Sequence, residues 1–383
     1  MPSTPHRADR ARAFLKFARS PDAVRKVLVV RSGMLGDTVF ITPLLRRLRD
    51  TFRTAEIHVA VGRDSAALLK NLPVDQVHEL RNGRFLLREA AAYLRLKKFR
   101  FDVAVILETN SHYTLMSRLL GARYLVGYEN RLSSMLDHAV PWGPRNHFAE
   151  NAVEPVREWT IGSESPRPWL LVSDEEESDA LRWLEMEGVP EGKLLVCIHP
   201  WTSVVRAVRQ WDPARYAPLA DALIDRFDCA IGFSGRPDDL QRIDAIRALM
   251  RHPSVNLAPH GSLRQILAIM KRSSLVIGPD TGILHMATGV STPVLMIMGE
   301  TDPLRTGPCD PGGLSRVVRW NLPCSPCLDR SPKPVQWETC KSVWPTVCMQ
   351  MLSVERVFLA AEGILSRVVA SARPADRRKA AQR

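Results

Sequence analysis

Short apolar runs alternate with amphipathic stretches along most of this chain. Residues 26–30 form the first unbroken apolar run, a buried-strand pattern. The positions Val39, Phe40, Leu44, Leu45 and Leu48 then fall at helical spacing. The alternation continues with strands at 56–61, 76–80, 101–107 and 123–127, and with helices at 64–71, 86–98 and 111–120. Residues 138–172 are rich in Pro, Trp and polar side chains and read as loop and linker, ending in the apolar run 169–172. A second series follows. It has helices at 175–187, 213–227, 237–250 and 262–271, and strands at 194–198, 229–233 and 255–257. A strand at 275–277, a helix ending at Gly289 and a strand at 294–298 complete it. Beyond Asp302-Pro303 the chain turns irregular until a last amphipathic helix at 354–369. Strands alternating with helices predict parallel sheets covered on both faces. The boundaries are a basic extension 1–26, a first α/β domain 27–172, a second 173–352, and a terminal helix with basic tail 353–383.

Two strand-to-helix turns carry candidate chemistry. The first is Arg31-Ser-Gly-Met-Leu-Gly-Asp37, with Gly33 and Gly36 three residues apart. It lacks the third glycine of the dinucleotide fingerprint, and no Gly-Lys-Ser/Thr follows, so it is not a P-loop. Asp37 is either the helix N-cap or a carboxylate placed for chemistry. The second turn is Gly278-Pro-Asp-Thr-Gly-Ile-Leu-His285. A helix start at the carboxyl edge of a sheet offers unpaired N–H groups and suits phosphate. The anionic Asp280 is better suited to sugar hydroxyls beside the phosphate, or else Asp280 and Thr281 only cap the helix.

The composition narrows the partners. A hydrophobic content of 45% and a charged content of 25% are those of a globular protein. No apolar run is long enough to cross a bilayer, and the charged N-terminus lacks a signal-peptide core. The seven cysteines, an odd number, favour a reducing compartment. The net charge of +12 lies mostly in the tails: residues 1–26 hold seven Lys/Arg against two Asp, and residues 373–383 hold five against one. Such tails suit an anionic membrane surface better than nucleic acid. Ala11, Phe14, Leu15 and Ala18 give the first tail an apolar helical face, for lipid or for the body of the protein. Cys324, Cys327, Cys340 and Cys348 begin with zinc-knuckle spacing, but the last gap is wide and no His completes the set, so they read as a structural metal site or as plain thiols.

With both turns in view, the chain resembles the heptosyltransferases of lipopolysaccharide assembly, glycosyltransferase family nine. The resemblance runs from about Val27 to Val368. It rests on Val27–Asp37 with Thr42-Pro43, on His199-Pro200 with the basic loop and Trp211, and above all on 278–285 with Asp302-Pro303. It implies a GT-B fold: two Rossmann-like domains with parallel sheets facing across a cleft, the last helix crossing back to the first domain. The first domain would take the acceptor and the second the nucleotide sugar. The implied reaction is inverting, metal-independent transfer of heptose from ADP-heptose to a lipopolysaccharide core acceptor. No cofactor beyond that donor substrate is implied, and no D-x-D pair is present. Residue by residue, Asp37 matches the general base, and Gly33, Gly36 and Arg63 lie where the acceptor would bind. Arg209, Asp239, Asp280, Thr281, Gly282 and His285 match the donor site. The implied place is the cytoplasmic face of the inner membrane, with peripheral attachment. A GT-B enzyme using another nucleotide sugar is the alternative.

Overall fold

The computed structural model describes residues 5–80, 86–162, 165–202, 208–258, 262–310, 312–327, 340 and 346–371. The chain divides into two compact units, Met1–Leu171 and Val172–Arg383.

The first unit has six strands: β1 (Lys26–Arg31), β2 (Glu56–Gly62), β3 (Gln76–Leu80), β4 (Val103–Ile106), β5 (Tyr124–Tyr128) and β6 (His138–Val140). Its α-helices are α1 (Pro5–Ala18), α2 (Leu35–Phe40), α3 (Thr42–Thr51), α4 (Leu86–Leu96), α5 (Ser111–Ser117) and α6 (Phe148–Arg157). The strands pair in parallel in the order β3-β2-β1-β4-β5-β6. Val27 to Val30 are all 0% exposed, because helices cover both faces of a parallel sheet. That is why the strand reads as an unbroken apolar run.

The second unit contains β7 (Leu195–Ile198), β8 (Ala230–Phe233), β9 (Val255–Asn256), β10 (Leu275–Pro279), β11 (Val294–Ile297) and β12 (Arg316–Val318). Its α-helices are α7 (Asp174–Met186), α8 (Tyr216–Phe227), α9 (Leu240–Arg247), α10 (Leu263–Arg272), α11 (Gly282–Gly289), α12 (Pro303–Thr306), α13 (Val347–Gln350) and α14 (Val354–Ser371). The order β12-β11-β10-β7-β8-β9 is the same doubly wound pattern. Each sheet therefore reverses its winding once, between β1 and β4 and between β7 and β10. Ligands of such sheets bind beyond the strand ends at that reversal.

Several expectations need correction. The stretch 138–172 is not only loop: it holds β6 and α6. Pro155 sits inside α6 and cannot donate to the Asn151 carbonyl one turn back. That carbonyl instead accepts the Tyr128 hydroxyl at 2.6 Å, so the helix survives its proline. The helix expected through residues 39–48 is two, α2 and α3, broken at Ile41 with Pro43 in the first turn of α3. The region after Pro303 is not wholly irregular, since β12 adds an edge strand there. The basic extension is not a free tail from residue 8 onward. Phe14 and Ala18 are fully buried, Phe14 packs on Tyr124, His138 and Trp159, and Arg10 pairs with Asp137 at 2.6 Å. In the terminal helix α14, Val357, Ala361, Ile364 and Leu365 lie in one core with Trp211, Tyr216 and Leu219 of the second unit. This apolar stripe packs on α8 and the β12 side of the sheet.

Candidate functional site

The first turn leaves β1 at the reversal of the first sheet. Met34 occupies the N-cap position of α2, and its backbone N–H donates to Asp37 Oδ2 at 2.8 Å. Asp37 is thus the third residue of the helix, not its cap. Its carboxylate folds back over Gly33: a Cβ there would come within 2.2 Å of Oδ2. Gly33 is needed for that reason, and Gly36 lies in the first turn of the same helix. Arg31 donates to Asp37 Oδ1 at 2.6 Å and, through its other terminal nitrogen, to Glu108 Oε2 at 3.2 Å. The same nitrogen also donates to the Leu107 carbonyl. Glu108 is fixed in turn by the Ser32 backbone N–H at 2.7 Å and hydroxyl at 2.8 Å, both on Oε1. Burial opposes the charge of Arg31, but Asp37 and Glu108 outweigh it and hold the guanidinium above its ordinary range. Asp37 keeps a quarter of its side chain exposed, whereas Glu108 keeps 13%. Arg63 is not drawn into this group. It is 71% exposed just after β2 and, among the described residues, pairs with Glu79 alone, at 3.7 Å.

The second turn leaves β10 at the reversal of the second sheet. Gly278 is required where β10 runs beside the end of β7, since a Cβ would meet the His199 carbonyl oxygen at 2.4 Å. Asp280 follows and is only 3% exposed. His285 Nε2 donates to its Oδ1 at 3.2 Å. Its Oδ2 accepts from Thr301 at 2.7 Å, Thr306 at 3.1 Å and Arg209 Nη1 at 3.2 Å. Burial pushes this carboxyl up, but the His285 hydrogen bond, the Arg209 charge and the Thr301 hydroxyl prevail and keep it ionised. Asp280 does not cap α11, whose N-cap position falls to Thr281, and its oxygens are held by groups of the protein. Thr281 holds the N-cap position by backbone alone, and its buried hydroxyl oxygen has no partner among the described residues. Gly282 opens α11, whose first N–H groups lack intrahelical acceptors. Arg209 also donates through Nε to Glu300 at 2.5 Å and through Nη1 to the Asp280 carbonyl at 3.0 Å, leaving Nη2 unpartnered among the described residues.

Near the end of β8, Asp239 accepts the Arg236 backbone N–H at 3.0 Å and an Arg242 nitrogen at 2.9 Å. His199, at the end of β7, has Nδ1 at 3.1 Å from the Ser234 carbonyl, and burial lowers its pKa to about 4. His199 at the end of β7 and Asp280 at the end of β10 therefore flank the same reversal, with Asp239 in the turn that follows the neighbouring strand β8. All seven cysteines are free thiols, and among the described residues no group of three or more His, Cys, Asp or Glu could hold a metal ion. Most of the chain between Cys327 and Cys348 lies outside the described residues, as do Arg206 and the tail 372–383.

Sequence reasoning missed Glu108, Glu300 and the bridging role of Arg31. The signal for Glu108 was available: an acidic residue directly after the strand on the far side of the sheet reversal. Glu300 likewise follows β11 by three residues.

Comparison with known proteins agrees with this geometry. The family model for glycosyltransferase family 9 (heptosyltransferase) matches residues 91–337. The lipopolysaccharide core heptosyltransferase of Haemophilus influenzae is 21% identical over 296 residues, covering 75% of this chain and 82% of its own. A family 9 glycosyltransferase from Veillonella parvula superposes with a TM-score of 0.75 at 18% identity, covering 90% of this chain and 97% of that one. The Escherichia coli ADP-heptose lipopolysaccharide heptosyltransferase II superposes with a TM-score of 0.69 at 18% identity, covering 89% and 99%. The two Rossmann-like units are those of a GT-B fold. Among the described residues no helix is long and apolar enough to cross a membrane. The chain belongs to glycosyltransferase family 9, the heptosyltransferases of lipopolysaccharide core assembly.

Proposed function

We propose that this chain transfers a heptose from ADP-heptose to a hydroxyl of the lipopolysaccharide core, with inversion at the anomeric carbon. The observation that carries the reading is the half-open Asp37 carboxylate at one sheet reversal, with a second, cation-bearing helix start at the other. An acceptor hydroxyl is far too weak an acid to be ionised beforehand by a carboxylate. Asp37 takes its proton while the oxygen bonds to the anomeric carbon and the ADP diphosphate leaves with the electron pair. The α11 N-terminus, the Thr281 hydroxyl and Arg209 Nη2 supply donors for that diphosphate. Asp280 acts at one remove, by holding Arg209 and α11 in place. Asp239, Gly282 and His285 belong to the same donor side, while Gly33, Gly36 and Arg63 belong to the acceptor side.

Positive charge for the leaving group comes from the protein in this scheme, so we infer that no divalent cation is needed. The enzyme would work at the cytoplasmic face of the inner membrane, held there by charge. Arg12 and Lys16 of α1 and Arg19 just after it are exposed, while Phe14 and Ala18 of its apolar face are buried, which favours adsorption to anionic headgroups over insertion.

The test is single-turnover transfer to isolated core acceptor, with ADP-heptose and a panel of UDP- and GDP-sugars compared side by side after chelation of metals. Transfer from ADP-heptose alone is the expected result. Turnover of a UDP-hexose instead would select the alternative donor, and activity only on return of magnesium or manganese would remove the metal-free scheme. Salt-sensitive flotation on anionic vesicles checks the membrane contact.

A further inference from the structure

Arg31 is shared between Asp37 and Glu108, and the sharing has a chemical consequence. When Asp37 accepts the acceptor proton it becomes neutral. An arginine paired with Asp37 alone would then be a mostly buried cation without a counter-charge, a costly state. The same lone arginine would also hold Asp37 as the anion and resist protonation. Glu108 removes both problems. It keeps Arg31 in an ion pair after the proton has moved, and it draws part of the guanidinium charge away before.

We propose that Glu108 is a positioning residue for the transfer reaction: through Arg31 it keeps Asp37 aimed and able to accept a proton. The inference rests on the reading of Asp37 as the base. Glu108 is built for a fixed role. Ser32 holds Oε1 by two hydrogen bonds, so Oε2 is left to face Arg31. The Leu107 carbonyl prevents the guanidinium from swinging wholly to Asp37. Each of these groups sits at the end of β1 or β4, across the sheet reversal. Glu108 does not touch the acceptor in this scheme; the proton passes from the hydroxyl to Asp37, and Glu108 stays ionised throughout.

Other ionisable groups lie on elements packed against α2 or near Arg31. They are Arg63 and Asp64 after β2, His147, Glu150 and Glu154 at α6, and Tyr128 on β5. Among the described residues none of them forms an ion pair with Asp37, and all are common to wild type and variant. Their influence cancels when the two pH profiles are compared.

The decisive variant is Glu108→Gln, which keeps the shape and an oxygen for Ser32 but loses the charge. Asp37 is then the one carboxylate left paired with the Arg31 guanidinium. The acidic limb of kcat/KM should move to lower pH by about one unit, the lower end of the effect of an adjacent opposite charge. The rate on the pH plateau should fall roughly 10- to 100-fold, within the span of impaired general-base catalysis. In the double variant Arg31→Gln/Glu108→Gln the limb should return toward that of Arg31→Gln alone, because Glu108 has nothing left to act through. A limb that stays put in Glu108→Gln, with or without a lower melting temperature, overturns the proposal and leaves Glu108 a structural anchor. Asp37→Asn is measured in parallel. Near-normal transfer by that variant rejects the base itself, whereas an inactive Asp37→Asn beside an unshifted Glu108→Gln rejects only the role of Glu108.

Discussion

The two sheet reversals of this protein are built from the same parts and used differently. In each, an arginine bridges an aspartate and a glutamate: Arg31 with Asp37 and Glu108, Arg209 with Asp280 and Glu300. In each, the aspartate sits just beyond a strand, beside a glycine that has no room for a side chain. Yet Asp280 is 3% exposed and receives hydrogen bonds from four side chains, while Asp37 is a quarter exposed and receives one side-chain and one backbone hydrogen bond. A saturated, buried carboxylate is a fixed charge that organises its neighbours. A partly open carboxylate with spare lone pairs can still accept a proton. Exposure and hydrogen-bond count, not residue type, separate the two proposed roles.

The largest test of that contrast is Asp37→Asn. It retains the Met34 contact and the helix but cannot take a proton, so kcat should fall about 10²–10⁴-fold at unchanged melting temperature. Single-turnover transfer alongside thermal unfolding measures both. Asp280→Ala should behave in the opposite way. Removing one partner of a buried, ion-paired group costs about 3–5 kcal/mol. The second unit should then unfold at lower temperature and denaturant while the first keeps its stability. Should Asp280→Ala lose donor turnover with an unaltered melting profile, the contrast fails and Asp280 acts on the substrate directly.

A smaller effect is expected at Arg209. Lysine there keeps the charge but not the fork that serves Asp280, Glu300 and Nη2 together. Arg209→Lys should raise the donor Kd roughly tenfold, about 1.4 kcal/mol, and leave acceptor binding untouched. Titration calorimetry with each substrate separates these outcomes.

The mildest effect is a sensitivity to acid. His58 and His78 of the first unit face each other, with His58 Nδ1 at 3.0 Å from His78 Nε2, against Phe99 and Phe101. Burial, with the charges of His58 and Lys98 adding, lowers His78 to about 4 from an ordinary 6.5; burial lowers His58 too. The unfolded chain therefore binds these protons first. Stability of the first unit should decline as pH falls from about 6.5 to about 4, with no further contribution from His78 below that. Replacing His78 with Phe should flatten the decline, read as melting temperature against pH. An unchanged slope would assign the acid sensitivity to other groups.

Much of this was legible in the sequence. The strands of both sheets gave themselves away as apolar runs, because a doubly covered parallel strand has no polar face to interrupt it. The turn around Asp280 stood out because a polar residue follows such a run directly, and Asp37 because it closes the Gly-bearing turn after the first run. The losses have physical causes. The Pro-bearing stretch 138–172 read as loop because the Tyr128 hydroxyl, which satisfies the Asn151 carbonyl that Pro155 leaves open, lies 23 residues from that carbonyl. Three-residue strands such as β6 and β12 are too short to show a period. The pairing of Arg31 with Glu108 joins residues 77 apart, so no local window contains both. The burial of Asp280 was not legible, because Thr301 and Thr306, which fold over its turn, arrive later in the chain.

The Trp211 side chain carries a consequence of another kind. It is wholly buried, and its indole nitrogen donates to the Leu352 carbonyl at 3.0 Å, across 141 residues. The α14 residues that complete that core come later still. During synthesis at roughly 5–20 residues per second, the indole waits roughly 7–28 seconds for its partner to be made. The first unit has by then emerged entire, since its core closes within the segment ending at Leu171. Through that interval the nascent second unit displays the apolar patch around Trp211, Tyr216 and Leu219 that α14 will cover. Ribosome-bound chains arrested before residue 352 should therefore be the form that chaperones hold. A premature stop that removes only α14 should strand the protein there, with both sheet reversals translated and neither usable.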